Sequence, residues 1–126
     1  MKIHPIEIYQ AKKRISSYVT RTPLVRAHAL SNLCEAEIWC KLEIMQPTGA
    51  FKLRGATNAI LRLNEDQRSR GVVAVSTGNH GRGVAYAARE QGVRAVICLS
   101  SLVPDIKVEA IKSLGADVRI VGNSQD

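Results

Sequence analysis

Hydrophobic residues in the second half of the chain follow two alternating spacings. Three short apolar runs have the length and β-branching of strands, at 72–75, 94–99 and 117–121. Two intervening stretches repeat apolar residues every three or four positions, as helices do, at 84–91 and 104–114. Gly92 and Gly115 stand where glycine commonly ends a helix. The alternation predicts right-handed crossovers, a parallel sheet covered by helices, and a buried strand at 72–75.

The first half has a less regular pattern. Pro5 suits a first helical turn, and apolar residues at helical spacing predict a helix over 5–17. Strands are predicted at 24–25 and, from alternation, over 37–43, with Trp39 as a core residue. A turn at 47–49 precedes a second predicted helix over 52–63.

Composition and charge restrict the classes of partner. The 126 residues are 45% hydrophobic and 23% charged, as in one globular domain, and a two-domain enzyme would be cramped at this length. The net charge of +7 raises the question of an acidic partner, but the arginines are scattered without interleaved aromatic side chains. No apolar run reaches the roughly 20 residues of a membrane span. We expect no nucleic-acid and no membrane partner; nucleic-acid binding stays an alternative that a steep salt dependence would reveal.

The cysteines indicate neither a disulfide framework nor a zinc site. There are three, Cys34, Cys40 and Cys98, an odd number without CxxC or Cys/His metal spacing. The N-terminal segment is polar and amphipathic, unlike a signal peptide. We expect reduced thiols, no bound metal and a cytoplasmic location.

Glycines and short polar residues are concentrated directly after the strand predicted at 72–75. The loop 76–81 follows the carboxyl end of that strand and precedes a helix whose N–H groups favour anions. A turn needed only for tight strand-to-helix packing is the alternative, although packing explains the crowded polar side chains less well. The glycine spacing does not match the dinucleotide fingerprint, and 49–55 does not match a P-loop. The pattern predicts a site for a carboxylate or a phosphate.

A second unusual segment, 47–56, places Lys52 at a turn into a helix. Phe51 beside it would shield the amine from water and make it usable as a nucleophile or a base. A lone lysine is more commonly a solvated cation, so the residues by themselves leave both roles open.

Taken together, these two segments resemble a known enzyme family. PTGAFKLRGA at 47–56 and STGNHGRG at 76–83, with TPL at 22–24 and KSLGADV at 112–118, are similar to the pyridoxal-phosphate enzymes of fold type II, in the threonine/serine dehydratase and serine racemase branch. The histidine in GNHG favours dehydratases over the related synthases. The resemblance implies an α/β fold, a three-layer parallel sheet with helices on both faces, and a homo-oligomer when the protein is of full length.

The resemblance also implies roles for individual residues. Lys52 would carry pyridoxal 5'-phosphate in a covalent imine linkage and take the α-proton, with Phe51 against the pyridine ring and Asn79 bonded to the 3-hydroxyl oxygen. The substrate carboxylate would bind to the loop residues Ser76, Thr77, Gly78, Asn79 and His80. The implied reaction removes the hydroxyl of a threonine- or serine-type amino acid and yields a 2-oxo acid and ammonia. His80 is expected to be a scaffold residue, and Arg54 to pair locally.

Some positions depart from the family pattern. Ala50 stands where serine is usual, and Thr77 replaces the serine that reprotonates the α-carbon in racemases, which makes a dehydratase the main expectation and a racemase an alternative. The glycine run that binds the cofactor phosphate is absent from these 126 residues. We therefore expect an N-terminal portion of a longer enzyme, poorly active alone, with 1–65 starting the larger domain and 66–126 forming most of the smaller one. A non-catalytic carboxylate- or phosphate-binding module is the other alternative.

Overall fold

The computed structural model describes residues 4–76 and 78–124. Its helices are α1 (Pro5–Ile15), α2 (His28–Cys34), α3 (Lys52–Ile60), α4 (Glu65–Arg70), α5 (Asn79–Glu90) and α6 (Asp105–Lys112), with a 3₁₀ turn at Glu43–Met45. Its strands are β1 (Leu24–Arg26), β2 (Trp39–Lys41), β3 (Val72–Val75), β4 (Ala95–Leu99) and β5 (Asp117–Ile120). None of the described helices is long and apolar enough to cross a membrane.

The predicted parallel sheet is confirmed. β3, β4 and β5 pair in parallel in that order, with Val73 opposite Val96 and Ile97 opposite Val118. The helices α5 and α6 make the two crossovers, as the alternating spacings indicate. The first two strands form a separate antiparallel pair, in which Val25 lies opposite Cys40.

The hydrophobic core lies between the parallel sheet and its helices. Ile97 and Leu99 of β4 and Ile111 of α6 are almost completely buried, and an alanine-rich face of α5 packs against the sheet. Small side chains let the helix and the strands approach closely, and bulky β-branched residues fill the remaining space. The same core includes Ala56 and Ile60 of α3. It therefore extends across residues 65 and 66, where the sequence predicts a domain boundary, and that boundary stays a prediction.

The expectation that 72–75 is a buried strand is wrong for one of its faces. Val73 and Val75 are 71% and 80% exposed, while Val72 and Ala74 are half-buried. β3 is an edge strand, and the core that α5 and α6 form with the sheet lies on the face that carries Ile97. The face of β3 that carries Val73 and Val75 therefore lies outside this core.

Trp39 also departs from its expected place in the core, since it is 52% exposed. Its strand belongs to the two-stranded sheet, which has too few strands to enclose a tryptophan side chain. The strand predicted over 37–43 is shorter than expected because the chain turns into the 3₁₀ turn at Glu43.

Two short helices, α2 and α4, are not predicted by the spacing of hydrophobic residues. α2 has only Ser31 as a buried residue, and α4 has none, so neither shows an apolar stripe. A local signal does mark the start of α4. The Asn64 side chain accepts a hydrogen bond from the backbone of Gln67, and the Gln67 side chain accepts one in return, which is a capping box.

Candidate active site

The loop between β3 and α5 is organised by a serine side chain. Ser76 Oγ accepts hydrogen bonds from the backbone N–H groups of Gly81, at 3.0 Å, and Gly78, at 3.3 Å. It thereby satisfies two of the free donors before and within the first turn of α5. The sequence leaves open whether these polar residues serve a ligand or a cap, and Ser76 serves at least the cap.

The backbone N–H groups of Asn79 and His80 have no hydrogen-bond partner among the described residues. Both residues are exposed at the start of α5, which begins five residues earlier than the spacing of apolar residues predicts. Free N–H groups and the helix dipole favour a carboxylate at this position. As far as the described residues show, the anion site expected at 76–81 therefore has two backbone donors available.

The glycines of the loop have different roles. A Cβ on Gly81 would come within 2.9 Å of Ile97 Cγ2, and one on Gly83 within 3.3 Å of the Leu53 backbone nitrogen. These two glycines are therefore required by packing of α5 against β4 and α3. A Cβ on Gly78 would meet no atom within 4 Å, so Gly78 is the glycine that leaves open space at the end of the loop.

Lys52 is the first residue of α3 and is exposed to solvent. Its Nζ lies 5.5 Å from the centroid of the Phe51 ring, and it has no hydrogen-bond or ion-pair partner within the described part of the chain. Phe51 is itself 61% exposed, so it does not provide the shielding from water that the sequence suggests. The amine is thus accessible to a ligand, and the ring beside it offers an open aromatic surface.

The close packing of α3 and α5 brings the two sequence segments together. The backbone of Lys52 and Leu53 lies against Gly83, and Asn79 is one helical turn before Gly83 on the same face of α5. The first turn of α3, which carries Lys52, therefore packs about one helical turn from the start of α5. This arrangement suits a reaction at a carbon atom next to a bound carboxylate.

A polar network of Thr22, Glu43, Gln46 and Arg54, called the network behind Lys52 below, lies close to Lys52 along the chain. Arg54 donates two hydrogen bonds to the Glu43 carboxylate, from Nε at 2.8 Å and from Nη2 at 2.7 Å. Thr22 and Gln46 donate two more to the same carboxylate. The hydrogen bonds from Arg54, followed by those from Thr22 and Gln46 and the guanidinium charge, outweigh burial and lower the pKa of Glu43 from 4.5 to about 2. Arg54 does form the ion pair expected of it, but its partner lies eleven residues away in the sequence, and neither that partner nor the network was predicted.

Other predicted features have simpler outcomes. Thr77 lies outside the described residues. Ala50 is buried, and its carbonyl accepts a hydrogen bond from Leu53. Within 4–76 and 78–124, no group of three or more His, Cys, Asp or Glu side chains is arranged to hold a metal ion.

Similarity to known proteins decides the family. Residues 15–126 match the family described as pyridoxal-phosphate dependent enzyme. The chain belongs to this family. The family and the α/β fold expected from the sequence are therefore confirmed.

Relatives with known names include threonine dehydratases, threonine ammonia-lyases and serine racemases. The chain is 56% identical over 119 residues to a Sinorhizobium fredii protein provisionally named a threonine dehydratase, covering 94% of this chain and 36% of that protein. It is 42% identical to L-threonine ammonia-lyase of Thermotoga maritima, over 95% of this chain and 30% of that protein. Maize serine racemase has a TM-score of 0.88 at 38% identity, over 94% of this chain and 36% of that structure. The chain thus spans about a third of the length of these relatives.

The residues present fit part of a pyridoxal-phosphate site. A free primary amine, an exposed aromatic ring and unpaired N–H groups at a helix start are the groups that a cofactor aldehyde, its ring and a substrate carboxylate require. A glycine run for the cofactor phosphate is not present in the 126 residues. The chain therefore offers a candidate amine for the cofactor and candidate donors for a carboxylate.

Proposed function

We propose that the protein is a pyridoxal-phosphate-dependent dehydratase, an ammonia-lyase that converts threonine or serine to a 2-oxo acid and ammonia. The observation that carries this proposal is the close packing of α3 on α5, in which the backbone of Lys52 and Leu53 lies against Gly83, one helical turn after Asn79. The named relatives that act on threonine support the choice of substrate class.

When bound, the cofactor supplies an electron sink for the charge left at the α-carbon. Lys52 would hold the cofactor through its Nζ, and the same nitrogen would accept the α-proton of the substrate. The N–H groups of Asn79 and His80 would hold the substrate carboxylate and orient the α-carbon. Phe51 would lie against the cofactor ring, and the Asn79 side chain would donate a hydrogen bond to the cofactor hydroxyl.

A racemase of the same family is the second candidate, because maize serine racemase is among the similar structures. A racemase needs a second proton donor on the opposite side of the substrate. The position that would supply it is Thr77, where the family commonly has serine. We therefore propose that elimination dominates over racemisation.

The test uses the protein expressed from its whole reading frame. It is incubated with pyridoxal phosphate, treated with borohydride, digested and examined by mass spectrometry for modified Lys52, while ammonia release is measured with L-threonine and L-serine. We expect preferential modification of Lys52, and Lys52→Ala should lose both modification and ammonia release. Lys107→Ala, which changes an exposed lysine of α6, is the matched control.

The outcomes separate the alternatives. Ammonia release that survives in Lys52→Ala would contradict the proposal. Carboxylate binding without any ammonia or racemised product would favour a non-catalytic anion-binding module. Conversion of L-serine to D-serine faster than ammonia release would favour the racemase.

The same proposal covers the organisation of the complete protein. We propose that 1–65 belong to a larger domain and 66–126 to a smaller one, in a cytoplasmic homo-oligomer. Relatives about three times as long as this chain support the two-domain organisation. Light scattering would measure the oligomeric state, and first cleavage near residue 65 in limited proteolysis would support the boundary.

A further inference from the structure

The network behind Lys52 joins three segments that are distant in the sequence. Gln46 Oε1 accepts a hydrogen bond from the Thr20 backbone at 3.0 Å, and Gln46 Nε2 donates one to the Thr20 carbonyl at 2.9 Å. Arg54 Nη2 donates to the same carbonyl at 3.1 Å. The loop at 20–22, the 3₁₀ turn and the first turn of α3 are thus cross-linked through side chains.

Glu43 is the centre of this network. Its carboxylate accepts four hydrogen bonds, and its side chain is only 17% exposed, against 32% for Arg54. Two parallel bonds from a planar guanidinium to a carboxylate fix orientation as well as distance. Surface ion pairs of this chain differ, since Asp66 and Arg70 expose 73% and 68% of their side chains.

The network acts on the helix turn that carries Lys52. Arg54 is two residues after Lys52, which places the two side chains on opposite sides of α3. The start of α3 has no side-chain cap, because Phe51 occupies that position. With no cap to hold the first turn, its direction depends on Arg54 on one side and on the contact with Gly83 on the other.

From this geometry we propose that Glu43 and Arg54 are positioning residues that hold the Lys52 amine in the direction needed for its reaction. The inference rests on the proposed function, since it assigns Lys52 the reactive amine. Neither residue touches the amine itself. Their effect passes through the backbone of the first turn of α3, where a displacement of about 1 Å can lower a rate about a hundredfold.

The test measures Lys52 reactivity against an internal standard. Each variant of the complete protein is incubated with pyridoxal phosphate, reduced with borohydride and digested, and the ratio of modified Lys52 to modified Lys107 is determined. We expect Glu43→Gln to lower this ratio about tenfold. Arg54→Lys keeps the charge but has no planar fork, so an intermediate loss is expected. Asp66→Asn, the same type of change in an exposed ion pair, should leave the ratio unchanged.

A purely structural role would not produce this pattern. All ratios are measured below the thermal midpoint of each variant, where a stability change alone leaves the ratio of two lysines unaltered. With L-serine, kcat should fall in Glu43→Gln while KM changes little, because the loop at 76–81 is untouched. Thr22→Val removes one hydrogen bond to Glu43 and keeps the ion pair, so it should lower the ratio about twofold. If Glu43→Gln does not fold, an unchanged ratio in Thr22→Val would overturn the positioning role.

The results distinguish the inference from the proposed function. If pyridoxal phosphate modifies Lys52 of the wild-type protein no faster than Lys107, the proposed function fails. If the wild type prefers Lys52 and both Glu43→Gln and Arg54→Lys keep that preference, the positioning role is wrong and the function stands. Equal losses in Asp66→Asn and Glu43→Gln would also overturn the positioning role.

Discussion

The two halves of the chain are held together by different interactions. In 72–121, twelve hydrophobic residues are buried and Ser100 is the one buried polar residue among those described. In 4–63, five hydrophobic residues are buried together with five polar ones, which are Thr22, Ser31, Gln46, Thr48 and Thr57. The second half is a conventional packed core, whereas the first half depends more on directional hydrogen bonds, several of them close to the candidate lysine, Lys52. Directional bonds suit a site that must hold one side chain in a defined orientation.

Removal of a core side chain from the second half should have the largest effect. Ile97 has no exposed surface and lies in β4, between two neighbouring strands. We expect Ile97→Ala to lower the free energy of unfolding by about 3 kcal/mol, because it loses apolar burial and leaves a cavity. Urea unfolding followed by circular dichroism measures this loss. A change as small as that of an exposed residue such as Val73 would contradict the comparison.

Loss of the central carboxylate should have the next largest effect. Glu43→Gln is expected to lower the free energy of unfolding by about 2 kcal/mol at neutral pH, since it leaves Arg54 without a charged partner. The folded-state pKa of Glu43 is about 2, below its unfolded value of 4.5. The carboxylate therefore stabilises the fold fully above pH 4.5, and this contribution is lost as the pH falls toward 2.

The pH dependence gives this prediction its control. The difference in stability between the wild type and Glu43→Gln should shrink steadily below pH 4.5, because the glutamine does not titrate. Thermal unfolding at a series of pH values measures it. A difference that stays constant down to pH 2 would show that Glu43 acts by its shape and not by its charge.

Two helical glycines should respond to alanine with opposite signs. Gly81→Ala places a Cβ 2.9 Å from the buried Ile97 side chain, and we expect a loss of about 1–2 kcal/mol. Gly55→Ala meets no atom within 4 Å, so helix propensity alone should raise stability by about 1 kcal/mol. Unfolding in urea measures both, and an equal sign for the two variants would refute the packing role of Gly81.

A matched pair of threonines tests the polar first half with the smallest expected effects. Thr22 donates its hydroxyl to Glu43 at 2.6 Å, whereas the buried Thr57 hydroxyl has no partner within the described residues. Thr22→Val should lower stability by about 1 kcal/mol, and Thr57→Val should leave it unchanged or raise it by up to about 1 kcal/mol. Differential scanning calorimetry compares them. Equal losses would mean that hydrogen bonding does not distinguish the two sites.

The secondary structure of the second half follows from the sequence more closely than that of the first half, because more of its residues are buried hydrophobic ones. The strands of the parallel sheet and α6 were predicted to within a residue or two, because their apolar residues repeat at a local period that burial reinforces. α2 and α4 have almost no buried residues, so no such period exists. The start of α5 was placed late because its first turn is Asn79 to Arg82, polar residues and a glycine without an apolar period.

Of the candidate site, the sequence identified the segments but not their contacts. The motifs around Lys52 and at 76–83 pointed to the family, which its matched residues confirm. The sequence could not show that Gly81 is required by packing whereas Gly78 leaves open space. The two glycines differ only in the atoms that surround them in the folded chain. The roles of the individual site residues stay predictions.

The sequence by itself determined the alternation of strands and helices, the parallel sheet and the family, and it singled out Lys52 as a candidate. These features depend on residues close together in the chain, where a fixed period or motif is sufficient. Only the tertiary structure decided that Glu43 pairs with Arg54, that Gly83 meets the backbone of Lys52, and that one face of β3 is exposed. Such contacts join residues that are separated along the chain, and the packing of helices and strands decides which of them meet.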